Sequence, residues 1–411
     1  MIVSMAEPAK LELLTRSPSE PGFQIHQIQS SQAYFQYRPQ RLPQASWEIT
    51  PQPQSPDGSR TFMLKNLERD RFVLLNAKEN FLWEYFDGAH SLEEISRSFH
   101  LTFGAFDYTM IRQLLAKMYW AGLLMEPGAL ALQRSFAAKT NERSARLLVA
   151  LAKGWRRISF TVPNADLICS ALFRRGGFLL FHPIAFWLAI GLTIFASVAA
   201  IRLVTQAKQF ADNLASIPWL STAAIVGALL ITSMLHVLAH ALACKSYRRR
   251  VREIGFFLLQ GVLPTFYADV TDIFMSTRRA RLIVDLAGPM VEVVLGSLAF
   301  CVAYGSAPGI GQALLFGIGV LLWESAFINI YPFNFLEMDG YNIIADLLAM
   351  PTLRQQALAL APKLPGLLLR LKTIQRAEWI QIGYLLLCVL SVLGYVLAHL
   401  EALRALLPHW R

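Results

Sequence analysis

Five apolar stretches, each about long enough to cross a bilayer, fill the second half of this chain. They run from about Pro183 to Val204, Leu220 to Cys244, Leu282 to Ala303, Gln312 to Ile330 and Trp379 to Leu400. About 20 apolar residues span the hydrocarbon core as a helix. Inside lipid every backbone polar group must be satisfied within the segment, which leaves helices as the form these stretches can take. The chain has 411 residues, 55% of them hydrophobic and only 16% charged. This excludes an ordinary soluble enzyme. The expected fold is mainly α: a polytopic membrane helical bundle of about five spans, with a smaller α+β part in front.

The formal net charge of +10 does not indicate nucleic acid as a partner, because the Lys and Arg residues cluster at the ends of apolar stretches rather than among aromatics. Arg174 and Arg175, Lys245 with Arg248–Arg250 and Arg252, Arg278, Arg279 and Arg281, and Lys363, Arg370, Lys372 and Arg376 all fall on one side of a five-span count. The opposite loops are nearly charge-free apart from Arg202 and Lys208. Positive charge marks the cytoplasmic side, so the N-terminus is expected in the cytoplasm and the C-terminus outside. The same clusters would rest on anionic membrane lipids. Residues 1–30 lack a basic-then-apolar start, so no cleavable signal peptide is expected. The four cysteines, Cys169, Cys244, Cys301 and Cys388, form no C-x-x-C and imply no disulfide framework.

Ahead of the spans the sequence divides into three parts. Residues 1–60, rich in Pro, Gln and Ser, read as a mobile segment with short strands around Tyr34–Tyr37 and Trp47–Thr50. Residues 61–128 read as strands at Phe62–Lys65 and Arg71–Asn76 followed by three short helices. Ser91-Leu92-Glu93-Glu94 has the capping-box form that opens the second helix. Residues 129–178 read as a basic linker, and 179–411 as the transmembrane domain. The runs F-x-L-L-N, L-W-E-x-x-D-G and S-x-x-E-I in the second part resemble the small peptide-binding winged-helix domains that accompany peptide-maturation enzymes. That resemblance implies a winged-helix-like cytoplasmic module; an adaptor with no ligand of its own fits the same residues.

In the second span stand two histidines four residues apart, His236 and His240. One helical turn brings both imidazoles to the same face. This is the spacing of two metal ligands in an H-E-x-x-H site. Polar groups inside hydrocarbon are costly and usually functional, although two core imidazoles hydrogen-bonded across helices would show the same spacing. About 100 residues later the fourth span breaks at Asn329-Ile330-Tyr331-Pro332 and continues to Asp339-Gly340. Asp339 would be a third ligand, leaving one tetrahedral position for water.

These motifs, with Glu253-Ile254-Gly255, Phe266-Tyr267-Ala268-Asp269-Val270 and Leu286-Ala287-Gly288-Pro289 in the same order, resemble the site-2 protease family of intramembrane zinc metallopeptidases. More narrowly, they resemble its bacterial peptide zinc metalloprotease branch with a fused N-terminal domain. The resemblance implies zinc on His236, His240 and Asp339. Asn329, Pro332 and Gly340 would shape the site, and Gly288-Pro289 would sit at the start of the third span. It also implies a bacterial inner-membrane location and a peptide or transmembrane protein as substrate or partner. Analogy adds an export assembly with efflux or membrane-fusion components. The departure is Val237, which stands where the family carries the glutamate that moves the proton from water to the leaving amine. Such proton transfer contributes on the order of 10²–10⁴ in rate. A zinc-binding but hydrolytically impaired homologue is therefore expected. The alternative is an active zinc endopeptidase with a substitute base among Glu292, Glu324 and Glu337; Glu337, two residues before Asp339, is the foremost of these. Otherwise Glu292 and Glu324 would pair with polar groups inside the bundle.

Overall fold

In the computed structural model the described residues are 11–15, 24–28, 36–104, 108–125, 159–259, 263–364 and 375–406. The chain packs as two units, residues 1–54 with 59–151, and 55–58 with 152–411.

In the first unit, strands β1 (Leu11–Thr15) and β2 (Gln24–Ile28) pair antiparallel. A separate antiparallel meander follows in the order β3 (Trp47–Pro51), β4 (Thr61–Asn66) and β5 (Arg71–Asn76). Helices α1 (Ala77–Glu84), α2 (Leu92–Phe103) and α3 (Tyr108–Ala121) come next. The Ser91–Glu94 capping box is present as expected, and Asn76 with Glu79 forms a second one opening α1. The apolar faces converge on Trp83, Phe86, Phe99, Leu64, Leu75 and Leu114, all essentially inaccessible to solvent. Asn66, also fully buried, donates to the carbonyls of Ala121 and Gly122 and accepts from the N–H groups of Glu68 and Arg69. Every polar atom of this side chain is thereby satisfied. The strand expected at Tyr34–Tyr37 lies partly outside the described residues. Of the rest, Gln36 is in a turn and Tyr37 is irregular.

The second unit is a polytopic membrane helical bundle. Its five long apolar helices are α5 (Pro183–Val204), α7 (Pro218–Ser246), α8 (Arg278–Gly305), α9 (Ile310–Ile330) and the apolar length Arg376–Ala398 of α12 (Arg376–Leu406). Among the described residues the short α-helices are α4 (Ala165–Arg174), α6 (Ala207–Ala215), α10 (Asp339–Leu347) and α11 (Leu353–Leu360). On α5, Trp187, Leu188, Ile194, Phe195 and Ile201 are each more than half exposed, a surface suited to lipid. Helix α8 is the centre: 44% of its apolar window is buried inside the protein, against 11% for α5. It packs on α5, α7, α9 and α10. Small residues let it approach α9 closely, since a Cβ on Gly296 would meet Trp323 and one on Gly319 would meet Phe300.

Two expectations are corrected here. Residues 129–158 of the presumed linker lie outside the described residues, but 159–178 are not a linker. Strand β6 (Ser159–Thr161) pairs with β7 (Glu253–Leu259), which pairs with β8 (Leu263–Asp269). Helix α4 is fastened to the end of α7, because Asp166 accepts from the Lys245 ammonium and the Val251 N–H, both at 2.8 Å. The gain of sheet hydrogen bonds and of this ion pair orders a segment whose composition alone reads as a spacer. Second, Gly288-Pro289 lies about three turns inside α8 rather than at its start, because the helix begins at Arg278, capped by the Thr277 side chain. The segment between the second and third of the long helices, apolar but interrupted and open in sequence to a re-entrant or a β-like form, pairs as β7 and β8.

Candidate metal centre

The site is built from four helices. Helix α7 brings His236 and His240 to one face, as their spacing requires, with Nε2 atoms 3.0 Å apart. Helix α10 opens with Asp339, whose oxygens lie 3.2 Å from His236 Nε2 and 3.5 Å from His240 Nε2. These three ligand atoms all lie within 4.8 Å of one another.

The outer nitrogens are held as well. His240 Nδ1 lies 2.7 Å from the Val284 carbonyl on α8, and His236 Nδ1 lies 3.0 Å from Glu292 Oε1. Both partners are acceptors, so the Nδ1–H tautomer of each ring would turn its Nε2 lone pair toward Asp339, the arrangement a bound cation requires. A tetrahedral ion with ligand bonds of about 2.0–2.1 Å holds its ligand atoms about 3.3 Å apart, which is the spacing found. The residues present therefore fit a zinc-like divalent ion.

Backbone approach explains the glycines. A Cβ at Gly288 would stand 2.3 Å from His240 Nε2 and 2.5 Å from His236 Nε2, so only glycine lets α8 lie against both rings. A Cβ at Gly340 would stand 1.9 Å from the Ile330 carbonyl, so Asp339-Gly340 can tuck under the end of α9 only as it is. Pro332 lies in the irregular run that ends α9 at Ile330, where its fixed φ and missing N–H stop the helix. Within this run Asn334 donates to the Ile328 carbonyl and accepts from the Leu336 N–H, shaping the turn toward Asp339.

Asn329 does not meet the three ligands. It donates to both oxygens of Glu292, at 3.2 and 3.0 Å. Val237 is buried beside His236 and offers nothing to a proton. Glu337 is not gathered into the centre: its Oε1 accepts from Arg354 Nε and Nη2 at 3.0 and 2.7 Å, and its side chain is 45% exposed. The positive φ of Phe335 (61°) helps turn the chain so that Glu337 faces α11 while Asp339 faces the histidines. The expected substitute base is therefore engaged elsewhere. Glu292 pairs with polar groups inside the bundle, one of the readings its sequence left open, but that His236 is among them was not specified. An ionisable residue within a span is the signal that marks Glu292, but its partner lies 56 positions away. Asp285, one turn before Gly288 on α8, also went unread; it lies within electrostatic reach of Asp339, Asp346 and Arg281.

Among curated proteins, this chain is similar to one described as "Putative peptide zinc metalloprotease protein YydH" from Bacillus subtilis (strain 168), with 27% identity over 134 residues. The aligned part is 32% of this chain and 50% of that protein, so the chain spans about half the length of this curated relative. No family model matches the chain, and no solved structure matches it. The similarity supports a metallopeptidase-like relation for a multi-pass membrane protein.

Proposed function

We propose that this chain is a site-2-protease-like membrane protein. In this reading it holds a divalent metal, zinc by its donor set, at His236, His240 and Asp339, and engages a peptide or transmembrane partner with little hydrolysis. The observation that carries the reading is the pair of imidazoles whose Nδ1 atoms are tied to acceptors while their Nε2 atoms converge with Asp339. When bound, such an ion polarises a carbonyl and acidifies water. His236 and His240 hold it, and Val284 and Glu292 keep the rings oriented. Gly288 leaves the space, and Val237 supplies no proton acceptor. With Glu337 engaged by Arg354, the active-endopeptidase alternative loses its foremost base. The N-terminal unit is read as a winged-helix-like peptide-binding or adaptor module on the cytoplasmic side of a bacterial inner membrane. Partners fitting this arrangement are export-assembly components of the efflux or membrane-fusion kind.

The test pairs metal analysis with one substitution. Purified wild-type protein should carry about one zinc per chain, lost in His236→Ala. Val237→Glu should raise cleavage of a dye-labelled transmembrane peptide by about 10²-fold or more, the contribution of a positioned base. Absence of metal from the wild type would sink the reading.

A further inference from the structure

Glu292 stands on α8 inside a membrane-spanning helix, with a side chain only 5% exposed. A lone carboxylate is costly there and needs partners. This one has two besides the imidazole edge it faces: Asn329 Nδ2 reaches both of its oxygens, and the Ser325 hydroxyl donates to Oε1 at 3.1 Å. Ser325 and Asn329 are one turn apart on α9, so they present their donors to the same point.

The location matters as much as the charge. Glu292 meets His236 at Nδ1, while the ligand atom is Nε2 on the opposite edge of the ring. It can fix the tautomer and orientation of His236, but it stands on the wrong side to take a proton from anything that Nε2 faces.

Resting on the metal-binding reading above, we propose that Glu292 is the positioning residue of this centre. Held in place by Ser325 and Asn329, it locks His236 through Nδ1 and so keeps the ring's Nε2 edge aimed at the ion. It stands on the far edge of the ring from Nε2, where it serves metal retention rather than proton transfer.

The experiment measures Zn²⁺ affinity of the full chain in detergent by competition with a chromophoric chelator, with the Co²⁺ absorption spectrum as a second readout. Glu292→Gln keeps the shape and removes the charge. The expected result is a loss of affinity of about 10- to 100-fold, the usual cost of removing such an outer partner. A changed Co²⁺ spectrum and an unchanged thermal midpoint of the metal-free protein should accompany it. A purely structural role would lower that midpoint and leave the spectrum alone. Equal Zn²⁺ affinity in wild type and Glu292→Gln overturns the proposal while the metal site itself stands. No Zn²⁺ binding by the wild type removes both. If Glu292→Gln fails to fold, Asn329→Ala decides: it leaves the charge but loosens it, and should weaken Zn²⁺ several-fold. Wild-type affinity in that variant overturns the proposal.

Discussion

At the scale of single residues, the centre depends on what is small as much as on what is polar. A Cβ on Gly288 would stand 2.3 and 2.5 Å from the Nε2 atoms of His240 and His236, so any side chain there would crowd the point on which those atoms converge. Gly288→Ala should abolish stoichiometric zinc, with a loss beyond the roughly 100-fold of a missing outer-shell bond; metal analysis of the purified variant checks it. The change is a single methyl group at a helix position where alanine is otherwise favourable. Retained helicity by circular dichroism would therefore separate a local clash from unfolding. His236 and His240 were legible as a pair from their spacing alone. Gly288 was legible only as part of a motif, because what it must admit comes from another helix.

Among the elements, α4 shows how one side chain converts an apparent spacer into structure. Burial pushes the Asp166 carboxyl up, but the Lys245 ammonium and the Val251 N–H more than offset this and hold it below its ordinary value of 3.8. A carboxylate lowered on folding contributes stability that is present above its unfolded pKa and lost as pH falls through the folded one. Wild-type unfolding temperature should therefore decline as pH drops below about 4. Asp166→Asn should be less stable near neutrality and show a smaller decline over the same window. A parallel decline in both proteins, followed by differential scanning fluorimetry in detergent, would contradict this. The spans themselves were readable because hydrocarbon imposes length and apolarity directly on sequence. The β6–β7–β8 sheet was only half readable. The hairpin follows from its interrupted apolar run, whereas β6 joins from nearly a hundred residues upstream.

For the whole molecule, we propose from the basic clusters and an odd number of spans that the two termini lie on opposite sides of the membrane. A cysteine placed in the N-terminal unit should be inaccessible to an impermeant thiol reagent added to intact cells, and one placed in the short loop near Ala307 should be labelled. Labelling of a cysteine near Arg248 instead would reverse the orientation. The sequence by itself determined a membrane bundle of five helices, the small capped helices of the first unit and the histidine pair. Each of these is local: hydropathy, capping and helical spacing act within a few turns. Only the tertiary structure decided that Glu337 turns to Arg354, that Asn329 serves Glu292, and that Glu292 holds His236. Those pairings depend on which faces of α7, α8 and α9 meet, and on the exit angle of the chain at Phe335. Helix packing sets such distances to within an ångström, and no spacing along one segment encodes them.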